Sequence, residues 1–260
     1  MVNEEPVKTI VLANHKGGVG KTTSVLNLGP ALAERGLRTL LIDLDPQANL
    51  TEGFGLEAHD GLRIEDVLVR GDGAGVAPAT VAVGDRLAVV PTSWSLGSAD
   101  ADLAARGEGH VDRLREVLGP VEDDYDVVLV DTPPSIGMWS GLALLAADAV
   151  VVPVTPAHYD QMGAQKQLAF IEQHIRPANP DLQVLGVLVT KAQRRWRVLR
   201  EIREAIARDA MPTIPGEVPL QIRVASAVGE RRPSFFLEPD GQVAYAYRRA
   251  AEYIAREVGL

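Results

Sequence analysis

The sequence predicts one doubly wound α/β domain, a mostly parallel sheet flanked by helices. Three observations predict it. Apolar runs of about five residues alternate with amphipathic stretches of about 12–18. Several of those runs are apolar at consecutive positions, the pattern of strands covered by helices on both faces. The chain has 260 residues, enough for one large core, and it shows no internal repeat. Residues 1–260 therefore read as a single domain.

Strands are expected at Thr9–Ala13, Thr39–Ile42, Leu87–Val90, Val127–Val130, Ala149–Val154 and Val184–Val189, all rich in Val, Leu and Ile. Helices are expected between them, at Thr22–Arg35, His110–Leu118, Met138–Ala146, Gln161–Ile175, Trp196–Arg208 and Val243–Val258. The first should stop at Gly36, because glycine takes the left-handed turn that ends a helix. In the fifth, Trp196, Leu199, Ile202 and Ile206 recur at three- and four-residue spacing, so that face should be core. The segment Gly71–Gly84 is rich in Gly, Ala and Pro and reads as a flexible surface loop.

Composition removes several kinds of chemistry. The chain has no cysteine, which excludes disulfides, thiolate metal sites, iron–sulfur clusters and cysteine nucleophiles together. The acidic start, MVNEEPVKTI, does not read as a signal peptide, and no apolar run approaches the roughly 20 residues needed to span a bilayer. A cytoplasmic protein is expected. The net charge of −9 argues by itself against a nucleic-acid binder.

One loop carries the strongest signal. Ile10–Ala13 is a strand, Asn14-His15-Lys16-Gly17-Gly18-Val19-Gly20 a loop, and Lys21-Thr22-Thr23 the start of a helix. A glycine-rich loop in that setting wraps its backbone around phosphates, and the helix start adds N–H donors and a positive dipole end. ATP with Mg²⁺ is the expected ligand. Gly17, Gly18, Val19, Gly20 and Thr23 would line the nucleotide, Lys21 would reach the β- and γ-phosphates, and the Thr22 hydroxyl would ligate the metal. The ordinary pattern has glycine where His15 stands, and Lys16 sits just inside the loop.

Two acidic motifs accompany it. Leu40-Leu41-Ile42-Asp43-Leu44-Asp45-Pro46-Gln47 places two carboxylates just past a strand, where ligands of parallel sheets bind. Val127-Val128-Leu129-Val130-Asp131-Thr132-Pro133-Pro134 is a buried strand ending in Asp131, which should hold Mg²⁺ through water.

The string Lys16-Gly17-Gly18-Val19-Gly20-Lys21-Thr22-Thr23 is a deviant Walker A motif, and with it the chain resembles the ParA/MinD superfamily of ATPases over nearly its whole length. The D-x-D-P-Q-x-N and D-T-P-P-S stretches point to the ParA/Soj branch, whose members segregate plasmids and chromosomes. The resemblance implies that Lys16 reaches across a dimer interface to the partner's nucleotide, so that ATP is sandwiched in a homodimer and hydrolysis is slow. It implies catalytic roles for Lys16, Lys21 and Asp45, the last positioning the attacking water, with Asp43 supporting the metal shell beside Thr22 and Asp131. It also implies a stretch like V-P-R-x-x-R-L-S-E-A-P-S. Here Val218-Pro219-Leu220-Gln221-Ile222-Arg223 keeps the proline and one arginine, and Pro219 is expected at the nucleotide.

The resemblance further implies that the ATP dimer binds double-stranded DNA without sequence preference, at the nucleoid. Lys191, Arg194, Arg195, Arg197, Arg200, Arg203 and Arg208 crowd one segment, and such a cluster meets the phosphate backbone despite an acidic total. Arg195 and Arg223 align with the family's DNA contacts, with Arg194, Arg197 and Arg200 beside them and Arg231 and Arg232 as an extension. A bland alternative is a solvated face with pairs such as Arg200–Glu204. A ParB-type centromere-binding protein is the expected partner. Two other readings share the chemistry: a ParA-like ATPase positioning a different cargo, and a MinD-type membrane-bound ATPase. The second needs a basic amphipathic C-terminal helix, whereas Ala244–Val258 carries acids and many alanines and reads as packed on the domain. Metal-cluster carriers and the nitrogenase iron protein share the loop but need cysteines. With the loop starting near residue 14, no N-terminal helix-turn-helix is expected.

Overall fold

A computed structural model describes residues 6–70, 73–105, 111–156, 161–192, 200, 203–204, 206, 211–221, 224, 227 and 229–260. Its strands are β1 (Lys8–Leu12), β2 (Thr39–Asp43), β3 (Val81–Gly84), β4 (Leu87–Val90), β5 (Val127–Asp131), β6 (Ala149–Val154) and β7 (Gln183–Val189). They form one sheet in the order β3-β4-β2-β5-β1-β6-β7. Every pairing is parallel except β3 with β4.

The helices are α1 (Lys21–Glu34), α2 (Asn49–Gly53), α3 (Ile64–Arg70), α4 (Leu96–Ala104), α5 (Arg113–Leu118), α6 (Met138–Ala146), α7 (Gln161–Phe170), α8 (Ser234–Leu237) and α9 (Gln242–Val258). All six expected strands are present within two residues. Five of the expected helices are recovered as α1, α5, α6, α7 and α9. The last five residues of the fourth expected helix, Ile171–Ile175, continue α7 as a π-helical turn. Most of Trp196–Arg208 lies outside the described residues, including Trp196, Leu199 and Ile202. Ile206 is helical and buried on the outer face of β6 and β7 with Val152, Val154, Val187 and Val189.

The consecutive apolar residues of the central strands divide between two cores. Val11, Leu40, Ile42, Val128 and Val130 face one layer, with residues of α3, α4, α5 and α6. Ile10, Leu12, Leu41, Val127 and Leu129 face the other, with α1 and α9. Successive side chains of a strand point to opposite faces, so a strand buried on both sides must be apolar throughout. Each such side chain contributes about 1.5–3 kcal/mol on full burial, and these residues are 0% exposed.

The Gly71–Gly84 expectation is corrected. Ala77–Ala79 forms a 3₁₀ turn and Val81–Gly84 is the antiparallel edge strand. Its Val81 and Val83 are half-buried while Ala82 and Gly84 are exposed, so this strand has one wet face. The sheet also bulges between β6 and β7 at Gly186, whose φ is +132°. A Cβ there would stand 2.3 Å from the Pro212 carbonyl oxygen, so only glycine lets the next segment cross so closely.

Candidate nucleotide-binding site

β1 delivers Asn14 to the top of the sheet, and Asn14 organises the loop that follows. Its Nδ2 donates to the Pro153 carbonyl at 2.8 Å and its Oδ1 accepts from the Lys16 N–H at 3.0 Å. The loop then turns through Gly18 and Gly20, whose φ values are +74° and +88°. A Cβ on Gly20 would also press on the Thr190 side chain at 3.3–3.4 Å. Glycine is required there on both counts.

Helix α1 begins with no side-chain cap and no acidic residue in its first turn. Its leading N–H groups and positive dipole end are therefore left for an anion. Lys21 is buried, 6% exposed, with Nζ 3.1 Å from the Asn14 carbonyl oxygen. Burial pulls its pKa down, while Asp131 and Asp45 pull it up. An ammonium held among carbonyls and carboxylates is ready to exchange them for phosphate oxygens.

β2 and β5 run in register, so Asp43 and Asp131 end adjacent strands side by side. Both are fully buried. Asp43 is well partnered: Oδ2 accepts from the Thr51 N–H at 2.9 Å and hydroxyl at 2.8 Å, and Oδ1 from the Asp45 N–H at 3.1 Å. Burial pushes its pKa up to about 7, against those hydrogen bonds, and the Asp45 charge adds to the push. Neither oxygen of Asp131 has a well-formed hydrogen bond among the described residues, and the Thr22 hydroxyl engages it only weakly. Burial, then the Asp43 charge, raises its pKa far above the usual range, with the Thr22 side chain and Lys21 opposing. A buried, unpaired carboxylate is costly and fits a site completed by a cation. Asp45 is also buried, its Oδ1 accepting from the Gln47 N–H at 3.0 Å.

A cleft of about 290 Å³ is lined by Gly18, Gly20, Lys21, Thr22, Thr23 and Asp45, together with Lys191, with Asp43 and Asp131 buried beneath it rather than on its wall. A larger cleft, about 530 Å³, opens at the opposite end of the sheet beside Lys8, Arg115 and Asp148. The carboxyl ends of parallel strands are where ligands bind, so the smaller cleft is the candidate site. Gly17 is exposed, Val19 buried, and Lys16 half-buried, with the Lys16 carbonyl 3.4 Å from Lys21 Nζ. Pro219 lies in an extended segment that pairs with Ala192, just beyond β7.

His15 stands where the ordinary pattern has glycine. Its Nδ1 is buried without a partner among the described residues. Burial, then the charges of Lys16, Lys166 and Lys21, lowers its pKa and so favours the neutral ring.

Only part of the basic segment falls within the described residues. Arg194, Arg195, Arg197, Arg208 and Arg223 lie outside the described residues. Arg200 is exposed and sits 3.5 Å from Glu204, the i,i+4 pair of the bland alternative, worth little at an exposed site. Arg203 pairs with Glu217 at 2.8 Å. Arg231 pairs with Glu57 at 2.5 Å, and Arg232 lies over the Phe236 ring. Lys191, grouped by sequence with the arginines, instead touches the loop: its Nζ donates to the Gly18 carbonyl at 2.7 Å. Sequence reasoning assigned no role to Thr51, which ties Asp43 to α2, or to Thr190, whose Oγ1 lies 2.7 Å from the Val19 carbonyl oxygen. Both contacts depend on the fold, and no local motif announces them.

Residues 7–184 match the family model described as AAA domain. The chain is 36% identical over 253 residues to the chromosome-partitioning ATPase Soj of Thermus thermophilus, with 97% of each chain covered. It is 34% identical over 254 residues to the sporulation initiation inhibitor protein Soj of Bacillus subtilis, covering 95% of this chain and 98% of that one. Among solved structures, a Mycobacterium smegmatis protein described as cobyrinic acid a,c-diamide synthase, with bound ADP and magnesium, is 31% identical with a TM-score of 0.83. That match covers 97% of this chain and 96% of the other.

Proposed function

The chain belongs to the ParA/MinD family of ATPases, and from that premise we propose that it is a DNA-partitioning ATPase working as an ATP-sandwich homodimer. The observation that carries the nucleotide chemistry is the buried, poorly partnered Asp131 beside Lys21 and the uncapped start of α1. A carboxylate in that state fits Mg²⁺, which keeps several waters and takes few carboxylates. Bound ADP and magnesium in the M. smegmatis neighbour support the same ligands here. The relatives named Soj match this chain at higher identity than the neighbour described as a synthase, which favours partition over amide synthesis.

In this reading the N–H groups of Gly17–Thr23 cradle the phosphates and Lys21 neutralises the β- and γ-phosphoryl oxygens. Thr22 and Asp131 would hold Mg²⁺, Asp131 through water, with Asp43 bracing them. The metal supplies charge neutralisation on the phosphates. Asp45 orients the attacking water, and Lys16 crosses to the nucleotide of the second copy. Pro219 closes over the nucleotide from beyond β7. No strong general base is required, because positioning and charge stabilisation carry phosphoryl transfer, so slow turnover is expected.

Partition is the favoured use of that chemistry. It is supported by the two Soj relatives, each matched along nearly its full length. The ATP dimer would hold double-stranded DNA at the nucleoid through Arg195 and Arg223, with Arg194, Arg197 and Arg200 adding charge. A ParB-type partner would stimulate hydrolysis and release it. A different cargo would use the same cycle. A membrane-anchoring role for the C-terminal helix has an observation against it. The apolar face of α9, including Ala244, Tyr247, Ala251 and Ile254, packs with α1 residues in one core, and no described helix is long and apolar enough to cross a membrane.

Gel filtration of an Asp45→Ala protein tests the reading. With Mg·ATP it should elute as a dimer and carry duplex DNA with it. A protein that stays monomeric with ATP would overturn the proposal, and a dimer that ignores DNA would overturn its partition half.

A further inference from the structure

Two consecutive residues at the end of β7 grip two consecutive carbonyls of the nucleotide loop. Thr190 Oγ1 lies 2.7 Å from the Val19 oxygen, and Lys191 Nζ lies 2.7 Å from the Gly18 oxygen. We propose that Lys191 is a positioning residue of the nucleotide loop, setting ATP affinity through the Gly18 carbonyl. The inference rests on the ATP-binding reading above.

The direction of the grip is what gives it a consequence. In a trans peptide the C=O of one residue and the N–H of the next point in opposite directions within one plane. Holding the Gly18 and Val19 carbonyls against β7 therefore aims the Val19 and Gly20 N–H groups the other way. It also keeps two partial negative charges from rotating toward a bound phosphate. Gly18 and Gly20, both at positive φ, are the residues with the freedom to rotate if nothing holds them.

Lys191 is itself held in an unusual backbone state. Its φ is +50°, a left-handed conformation that a residue with a Cβ rarely adopts. Such a state persists when its surroundings over-determine it, and here they do. On one side Thr190 N donates to the Val154 carbonyl at 2.8 Å. On the other, Ala192 N donates to the Val218 carbonyl at 2.9 Å and Leu220 N to the Ala192 carbonyl at 3.0 Å. Thr190 is 2% exposed and forms the fixed half of the grip. Lys191 is exposed and lines the cleft, so its ammonium is the adjustable half, and its charge adds to that of Lys21.

The test compares Lys191→Met, which keeps the length and loses the donor, with Lys191→Arg, which keeps a donor. Binding of a fluorescent ATP analogue with Mg²⁺ is measured beside steady-state hydrolysis and nucleotide-free melting. An exposed charged hydrogen bond predicts that Lys191→Met weakens affinity about three- to tenfold. The loss should fall on KM rather than kcat, without a matching drop in melting temperature, and Lys191→Arg should restore most of it. Wild-type affinity in Lys191→Met would overturn the proposal, as would equal losses in both variants or a loss that tracks melting temperature. A wild-type protein that binds no nucleotide would instead overturn the ATP reading on which this one rests.

Discussion

Replacing Asp131 with asparagine should make the nucleotide-free protein more stable while ending its response to Mg·ATP. Asp43 and Asp131 are cross-strand neighbours, both 0% exposed. Burial raises the pKa of each, and the Asp43 charge raises that of Asp131 further. Asp43 alone moves from 3.8 to about 7, roughly three pH units, or about 4 kcal/mol at 1.36 kcal/mol per unit. That is the scale on which ionising Asp43 opposes folding. Asn keeps the volume of Asp and removes the Asp131 charge, relieving a cost of ~2 kcal/mol, the usual penalty of a buried polar group left without a good partner. For a domain of this size the melting temperature should rise by about 4–8 °C.

The pH dependence follows from the sign. A folded pKa above the unfolded value means the cost is absent below the unfolded pKa and grows as pH rises through the folded one. The gain from Asp131→Asn should therefore be largest near about pH 8 and shrink toward about pH 5. Melting curves in EDTA across that range measure it. Adding Mg·ATP at about 100 times Kd should then stabilise the wild type by about 2.7 kcal/mol and the variant hardly at all. A variant that melts at or below the wild type in EDTA near the upper pH would refute the buried-pair argument. A variant still stabilised by Mg·ATP would refute the metal role.

Two further predictions concern the framework around the site. Asn27 is 2% exposed, donates to the Thr23 carbonyl at 2.7 Å, and accepts from Ser234 Oγ and Phe235 N, both at 2.8 Å. Asn27→Ala would leave a buried hydroxyl and N–H without partners, so urea unfolding should show a loss of about 2–4 kcal/mol; a loss under about 0.5 kcal/mol, the level of a neutral surface change, would show that the network is dispensable. Trp94 is 82% exposed, and a side chain at Gly97 would touch Pro46, next to Asp45. If ATP brings a second copy onto this end of the sheet, Trp94 emission should shift blue with ATP in the Asp45→Ala protein, and Trp94→Phe should abolish the shift. A dimer on gel filtration with unchanged emission would place Trp94 outside the interface.

Features that depend on neighbouring residues were legible early. The Lys16–Thr23 loop, strand before and helix after, is a local pattern, and α1 begins at Lys21 as the motif requires. The central strands were legible because burial on both faces writes an unbroken apolar run. The edge strand β3 was not, since half of a four-residue strand faces water and its Gly-, Ala- and Pro-rich approach imitates a loop. Helices α2, α3, α4 and α8 were also missed; they span 5, 7, 9 and 4 residues, short pieces that show little helical period unless, as with α6, the run is apolar nearly throughout.

The sequence by itself determined which residues could meet phosphate and metal: Lys21, Thr22, Asp43, Asp45 and Asp131 carry that chemistry in their side chains and motifs. Only the tertiary structure decided their states. Asp43 and Asp131 are equivalent in sequence as acids ending apolar strands, yet Thr51 gives one of them two hydrogen bonds and the other has no well-formed one. Lys191 is one more cation in a basic stretch until β7 carries it to Gly18, 173 positions away in the chain. A local motif fixes residue identity, whereas burial, partners and pKa are set by contacts between distant segments, and those exist only once the sheet has formed.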